Sequence, residues 1–231
     1  MTIKFYRVSY QAFSIIGVQG SGKTNWIYYL ARKFKKKFKD QGITAYIPYS
    51  HRNFVAFLYH YTYDFNEYFG IPEDPKYIFI AVDDMSFLIR NNATANDILY
   101  LISVIRHLNK QFKRVYVAFV THYSKATRPF LRLTNVKILT SITSFEELEG
   151  LKGMFPPSSL YDFFNLYTED PTKFYTLINH YGNVFITKIR KQKKPKFDIE
   201  VTKDYEVDIR DKFEQLLKKL SLEFITSKDH L

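Results

Sequence analysis

The sequence predicts an α/β protein with a mostly parallel central sheet, helices on both faces, and a C-terminal hairpin and helix. Two observations support this prediction. Segments that are apolar throughout are typical of strands buried on both faces of a parallel sheet, and here they alternate with segments of helical periodicity. In addition, a glycine-rich stretch, residues 17–24, joins the first such strand to the first helical segment.

Strand and helix patterns alternate along residues 1–144. Five strands are predicted at residues 13–16, 43–48, 77–82, 115–120 and 136–142, and residues 3–8 alternate in a way that predicts a further edge strand. Helical patterns follow the first three strands and include the apolar residues Ile27, Phe54 and Ile105. The third helix is expected to begin after a connection at residues 91–96.

The pattern changes after Ser144, which predicts a core of residues 1–144 and a C-terminal extension of residues 145–231 packed on it. Within the extension, short helices are predicted at 145–154 and 158–167, a hairpin at 174–179 and 183–189, and an amphipathic helix near 209–222.

Composition narrows the class of protein. The 231 residues are 46% hydrophobic, enough for a sizeable core, and the absence of cysteine excludes disulfides and thiolate metal sites. The longest apolar runs are too short to span a bilayer, so a cytoplasmic protein without a membrane partner is expected. The net charge of +11 favours a polyanionic partner such as nucleic acid, although lysines that only face water give the same total.

Residues 17–24, GVQGSGKT, match the phosphate-binding P-loop pattern G-x-x-x-x-G-K-[ST] without a mismatch. Glycines let backbone N–H groups approach phosphate oxygens, and the following helix directs its positive end at the same anion. The pattern predicts that Lys23 contacts the β- and γ-phosphates of a nucleoside triphosphate and that the Thr24 hydroxyl binds Mg²⁺. The residues expected to contact the nucleotide are Gly17, Gln19, Gly20, Ser21, Gly22, Lys23, Thr24 and Asn25.

Two aspartates follow the third predicted strand, at the edge where parallel sheets bind ligands. An apolar run that ends in Asp83 is typical of a Walker B element, whose carboxylate holds Mg²⁺ directly or through water. Asp84 either polarises the water that attacks the γ-phosphate or caps the following turn.

Two further residues are candidates for catalysis. His122 ends the fourth predicted strand at the same sheet edge, where its side chain would touch the γ-phosphate or the attacking water, with a core histidine as the alternative. Arg106 lies on the helix before that strand, and it either completes a neighbouring subunit's site or is an ordinary surface arginine.

The densest basic run, residues 188–196, follows the predicted hairpin. Its members expected to contact the phosphate backbone of nucleic acid are Arg190, Lys191, Lys193 and Lys194, with a solvated turn as the alternative. Arg32, Lys33 and residues 35–37, on the outer face of the first helix, predict a solvated face, with DNA contact as the alternative.

The P-loop, the Asp83-Asp84 ending, the helix with Arg106 and the strand ending at His122 follow one order and spacing. Over about residues 12–144, this layout resembles the additional-strand P-loop ATPases. Among them it is similar to the FtsK–HerA-type translocases and genome-packaging ATPases of archaeal viruses. The resemblance implies that the chain hydrolyses ATP with Mg²⁺ and forms a ring of identical subunits that pulls double-stranded DNA, in the host-cell cytoplasm if the chain is viral.

The layout also resembles the DnaA/DnaC-like ATPases of archaeal viruses and plasmids, in which a paired-Asp Walker B occurs. That resemblance would make the chain a replication ATPase or a helicase loader. Two departures count against the packaging pattern, because Asp84 replaces the usual glutamate and His122 replaces a polar amide.

Other classes of P-loop protein explain less of the sequence. A GTPase is disfavoured because residues 109–112, NKQF, lack the aspartate of the guanine-recognition element. A nucleotide kinase would use an arginine-rich lid, which Arg128 and Arg132 imitate, but it would not account for the basic run or the paired aspartates. A structural subunit without hydrolysis is a further alternative if Asp84 does not activate water.

Overall fold

The computed structural model of the chain describes residues 3–48, 51–71, 75–85, 92–122, 131–201, 211–212 and 214–219. Eight strands in this part of the chain form one sheet: β1 Tyr10–Ile16, β2 Gly42–Ile47, β3 Tyr77–Val82, β4 Arg114–Thr121, β5 Val136–Leu139, β6 Tyr175–His180, β7 Asn183–Lys188 and β8 Ile199–Glu200. Their order across the sheet is β7-β6-β5-β1-β4-β3-β2-β8. Neighbouring strands are parallel along the part of the sheet ordered β5-β1-β4-β3-β2-β8. In contrast, β6 pairs antiparallel with both β5 and β7.

The described helices surround this sheet: α1 Lys23–Phe38, α2 His51–Tyr63, α3 Phe65–Phe69, α4 Asn92–Leu108, α5 Phe145–Leu151 and α6 Pro157–Glu169. Single 3-10 turns lie at Lys39–Gln41 and Pro171–Lys173. Residues 211–212 and 214–219 are helical, within the predicted amphipathic helix, whose ends lie outside the described residues. None of the described helices has the length and apolar character needed to cross a membrane.

Helices cover both faces of the sheet because successive strand residues point to opposite sides. On β1, Ala12 faces the cluster formed with α2, α3 and α4, whereas its neighbour Phe13 faces the cluster formed with α1. A third cluster packs α5 and α6 against the end of the sheet formed by β5, β6 and β7. The α/β fold with a mostly parallel sheet, helices on both faces and a C-terminal hairpin is thereby confirmed.

The segment at residues 3–8 is not an edge strand, so that prediction was wrong. Its alternation reflects insertion into the core, because Ile3 and Phe5 are buried in the cluster under α1. Its backbone groups are satisfied by side chains rather than by a neighbouring strand. The Gln11 amide donates to the Lys4 carbonyl at 3.0 Å and accepts from the Tyr6 N–H at 2.8 Å.

Two other boundaries differ from the prediction. The helix expected after a connection at residues 91–96 already begins at Asn92. Strand β5 ends at Leu139 rather than at residue 142, because Thr140 and Ser141 leave the sheet to bond the loop after β1. Arg128, assigned to a lid-like segment, lies outside the described residues.

The chain after Ser144 adds to both edges of the sheet. Strands β6 and β7 extend it beyond β5 as the predicted hairpin, and β8 pairs with β2 at the opposite edge. Residues 189–198, called here the crossing segment, therefore pass from one edge to the other over the outer side of α1. The division into a core and an extension at residue 144 stays a prediction.

Candidate active site

Residues 17–24, called here the phosphate loop, join β1 to α1, and the backbone angles of two glycines set the shape of the loop. Gly20 and Gly22 have φ values of +79° and +89°, a region that glycine adopts without steric cost. Gly22 precedes the first residue of α1, so the loop leads directly into the N-terminus of a 16-residue helix. The helix dipole and the free N–H groups of its first turn favour an anion at this point.

Side chains that follow β5 hold the loop in place. The Val18 N–H donates to the Ser141 hydroxyl at 2.8 Å, and the Ser21 and Thr140 hydroxyls are hydrogen bonded to each other at 2.6 Å. Gly17 lies so close to them that a Cβ built there would be 2.2 Å from Thr140 Oγ1 and 2.5 Å from Ser21 Oγ. Glycine at this position is therefore required by the space available.

The ammonium group of Lys23 occupies the concave side of the loop. It donates to the carbonyl oxygens of Gly17 at 2.8 Å and of Val18 at 2.7 Å. Burial lowers the pKa of Lys23, and the nearby carboxylates of Asp84 and Asp83 oppose that shift. A buried ammonium group with carbonyl partners is stabilised further when an anionic phosphate oxygen enters the loop and bonds to it.

Thr24, in the first turn of α1, and Asp83, after β3, bring a hydroxyl oxygen and a carboxylate oxygen close together. The Thr24 hydroxyl donates to Asp83 Oδ2 at 3.2 Å, and the Tyr46 hydroxyl donates to the same oxygen at 2.9 Å. Burial raises the pKa of Asp83, and these two hydrogen bonds partly offset the rise. Tyr46 was missed by the sequence reasoning, because only the pairing of β2 with β3 brings it to this carboxylate.

Asp84 and His122 face each other across the ends of the neighbouring strands β3 and β4. His122 Nε2 lies 4.0 Å from Asp84 Oδ2. Asp84 has a φ of +59°, which is uncommon for a residue other than glycine and is found most often at functional or tight-turn positions. The predicted residues Lys23, Thr24, Asp83, Asp84 and His122 thus lie at one edge of the sheet, as expected.

Other predicted site residues have different surroundings. Gln19 is exposed at the tip of the loop. The Asn25 amide bonds the backbone of the crossing segment, where it donates to the Arg190 carbonyl at 3.3 Å and accepts from the Gln192 N–H. Arg106 is not at the phosphate loop of its own chain. It donates to His107 at 2.8 Å, and its charge acts on Tyr10 at the opposite end of β1.

The four basic residues predicted to bind nucleic acid lie on the crossing segment. Arg190, Lys191 and Lys193 are exposed, and the Lys193 carbonyl accepts from Arg32 of α1 at 2.9 Å. Lys194 forms an ion pair with Glu200, and its ammonium lies 5.4 Å from the centre of the Tyr46 ring. The crossing segment therefore presents part of the predicted basic run to solvent beside the phosphate loop.

A pocket of about 420 Å³ adjoins the phosphate loop, and no sequence pattern predicted it. Gly20, Ser21 and Gly22 form one side. The other side is built from α1, the β6–β7 hairpin and the crossing segment: Asn25, Trp26, Tyr28, Phe174, Thr176, Ile189, Lys191 and Gln192. Phe174 is half exposed and adopts a positive φ of +48°, so its ring reaches the pocket from the turn before β6.

The fold and the site together define a class. Strand β4 lies between β1, which carries the phosphate loop, and β3, which carries Asp83, and all three are parallel. This additional central strand, in the order β5-β1-β4-β3-β2, and the loop before α1 give the chain the fold of the additional-strand P-loop ATPases.

Comparison with solved structures supports this fold. The chain is similar to the genome-packaging NTPase B204 from Sulfolobus turreted icosahedral virus 2 in complex with sulfate, with 12% identity and a TM-score of 0.53 over 80% of this chain and 100% of that chain. The same protein in complex with ATP-gammaS matches with 13% identity and a TM-score of 0.50 over 78% of this chain and 98% of that chain.

A further solved structure has the same fold. EssC (ATPases 2 and 3) from Geobacillus thermodenitrificans matches with 15% identity and a TM-score of 0.54 over 90% of this chain and 44% of that chain. No protein-family model and no curated protein matches the sequence. Identities this low establish a shared fold and not a shared activity.

Gly17→Ala should destabilise the protein, because the new methyl group would displace the Ser21 and Thr140 hydroxyls and break their hydrogen bond. Overpacking of this kind costs about 1–3 kcal/mol, which for a chain of this size lowers Tm by about 2–4 °C per kcal/mol. Thermal unfolding measures the effect. Gly153→Ala is the control, since nothing lies within 4 Å of a Cβ there. Equal Tm values for the two variants would contradict the tight fit at Gly17.

Proposed function

We propose that the chain is an Mg²⁺-dependent ATPase that couples ATP hydrolysis to the movement of double-stranded DNA, as in the packaging of a viral or plasmid genome. The observation that carries the proposal is the convergence of Lys23, Thr24, Asp83, Asp84 and His122 at one edge of the sheet. A P-loop lysine on the phosphates, and a threonine and an aspartate on Mg²⁺, are the parts that phosphoryl transfer uses in P-loop NTPases, and Asp84 and His122 lie where a water-positioning residue is needed.

ATP would bind with its phosphates in the loop and its base in the adjoining pocket. The free N–H groups at the start of α1 would donate to phosphate oxygens, and Lys23 would exchange its two carbonyl partners for the β- and γ-phosphates. The pocket offers a base the aromatic rings of Tyr28 and Phe174, and the side chains of Asn25 and Gln192 for hydrogen bonds.

The residues at the sheet edge fit a magnesium ion. Thr24 Oγ1 and Asp83 Oδ2 are 3.2 Å apart and are the hydroxyl and carboxylate oxygens that Mg²⁺ prefers in nucleotide sites. When bound, the ion neutralises charge that develops on the β- and γ-phosphate oxygens. Tyr46, by its hydrogen bond to the same Asp83 oxygen, would keep that carboxylate turned toward Thr24.

Asp84 is the residue proposed to activate water. Its carboxylate would accept a proton as the water oxygen bonds to the γ-phosphorus and the bond to the β–γ bridging oxygen breaks, giving ADP and phosphate. His122, 4.0 Å from that carboxylate, would orient the water or the γ-phosphate from the end of β4. Because aspartate has a shorter reach than glutamate, this second side chain would help to position the water.

Double-stranded DNA is the proposed polymer, and a ring of identical subunits is the proposed assembly. The net charge of +11 and the exposed cations Arg190, Lys191 and Lys193 on the crossing segment suit a phosphate backbone. The similar structures of B204 are of a genome-packaging NTPase, which agrees with this proposal. For a viral chain, the site of action would be the host-cell cytoplasm.

Lys23→Ala should reduce ATP turnover by at least about 10²-fold, because it removes the main cation on the phosphates. Asp84→Asn should reduce turnover by about 10²–10⁴-fold while nucleotide binding persists, because the amide accepts no proton. Phosphate release and nucleotide binding are measured for both, with Lys173→Ala and Asp162→Asn, at two exposed positions, as matched controls. If Asp84→Asn turns over at the parent rate, Asp84 is only a turn cap.

The same turnover assay separates the alternative functions. Stimulation of ATP turnover by single-stranded rather than duplex DNA would favour the helicase-loader alternative, and a phosphorylated nucleoside product would favour a kinase.

Arg106 is proposed to act on the site of a neighbouring subunit, since it lies at the end of the sheet away from its own phosphate loop. Arg106→Ala should then lower turnover by about 10³–10⁵-fold, the effect of such arginines in other phosphoryl-transfer enzymes. Mixing Arg106→Ala with Lys23→Ala should partly restore phosphate release, because a mixed ring places an intact arginine beside an intact loop. Normal turnover by Arg106→Ala alone, at every protein concentration, would contradict the role.

A further inference from the structure

A basic groove runs along the outer side of α1, at the end of the helix away from the phosphate loop. Eight residues line this open groove of about 790 Å³, and five of them are cationic: Lys4, Arg7, Lys33, Lys36 and Lys37. The other three are Ile3, Phe5 and Tyr6, so no lining residue is acidic. The groove combines two distant parts of the sequence, the N-terminal segment and the last half of α1.

The positive charges of the groove are not neutralised within the described part of the chain. None of the five cations forms an ion pair there, and neither does Asp40, the next carboxylate in sequence after α1. Burial lowers the pKa of Lys37, and the charges of Arg7 and Arg114 lower it further. Arg7 and Lys37 therefore repel each other, and a polyanion in the groove would relieve the repulsion.

Stabilisation of α1 explains only part of this arrangement. Cations in the last turn of a helix interact favourably with its dipole, which accounts for Lys36 and Lys37. It does not account for Lys4 and Arg7, which belong to the N-terminal segment and are exposed. That segment is held by its buried residues Ile3 and Phe5, so its cations are fixed beside those of the helix.

A second hollow connects the groove to the crossing segment. It has a volume of about 360 Å³, shares Ile3 with the groove, and is lined by Tyr29, Lys188 and Arg190 among others. The Lys33 ammonium lies 5.2 Å from the centre of the Tyr29 ring, between the two. Together they form a path along the helix from Trp26 to Lys37, about 16 Å long at the rise of an α-helix.

We propose that this path, from Arg190 through Lys33 and Lys36 to Arg7, is a binding track for the sugar-phosphate backbone of nucleic acid. A linear series of cations beside aromatic rings matches that polymer. A membrane surface fits poorly, because Ile3 and Phe5 are 3% and 4% exposed. Tyr6, 37% exposed, is then the one hydrophobic side chain of the lining that could reach lipid, too few for an interfacial apolar face. The inference rests on the proposed function for the choice of DNA as the polymer, but it does not depend on hydrolysis.

The test compares two triple variants of the full chain in which the same number of positive charges is removed. Arg7→Gln/Lys33→Gln/Lys36→Gln removes cations from the groove, and Lys110→Gln/Lys173→Gln/Lys218→Gln removes three exposed lysines elsewhere. Binding of a fluorescent DNA duplex is measured by anisotropy over a range of salt concentrations, and ATP turnover is measured without DNA. Each phosphate that a cation no longer neutralises should lower the slope of log K against log salt by about 0.9, so the groove variant should lower it by about 2–3 in total.

Each result decides a different point. A lower slope for the groove variant, with the parent slope in the control and parent turnover in both, supports the track. Equal slopes for the two triple variants overturn it, as does a parent protein whose DNA binding does not change with salt. Binding to phosphatidylserine vesicles is measured for the same proteins. If the groove variant loses vesicle binding and keeps the DNA binding of the parent, the track is overturned in favour of a membrane surface. Absence of ATP turnover in the parent would overturn the proposed function and leave the DNA-binding result to stand by itself.

Discussion

The close contact between the ends of β1 and β5 is the constraint on which the site depends. Gly17 fits against the hydroxyls of Thr140 and Ser21, and the Val18 N–H is held by Ser141. This contact fixes where the phosphate loop leaves the sheet, and with it the start of α1. The positions of Lys23 and Thr24 follow, because both belong to the first turn of that helix.

The second element of the site is the position of β4 between β1 and β3. The register pairs Ile16 with Thr121 on one side of β4 and Val82 with Phe119 on the other, so all three strands end near one level. Asp84 and His122 can then face each other, and Asp83 can reach Thr24. On this arrangement, hydrolysis and metal binding would be separate tasks of two adjacent aspartates.

Much of this arrangement could be predicted from the sequence, because it depends on local patterns. The runs ending at Asp83 and His122 are apolar throughout, and the loop motif specifies a strand before it and a helix after it. The alternation at residues 3–8 led to a wrong prediction, because a segment that inserts Ile3 and Phe5 into a core has the same period as an edge strand. Tyr46, Phe174 and the path of the crossing segment depend on strand order and on a two-residue pairing of β8 with β2. Such long-range features leave no periodic signal in the sequence.

The central claim is that the loop at the end of β1 binds the phosphates of ATP, and Trp26 allows a direct measurement. It is the single tryptophan of the chain, its indole N–H donates to the Thr176 hydroxyl at 3.2 Å, and it lines the pocket beside the loop. Its fluorescence can be followed as ATP and Mg²⁺ are titrated into the parent protein and into Lys23→Ala. A saturable change in the parent that is absent or strongly weakened in the variant is the predicted result. No response in the parent, or the same titration curve for both proteins, would contradict the claim.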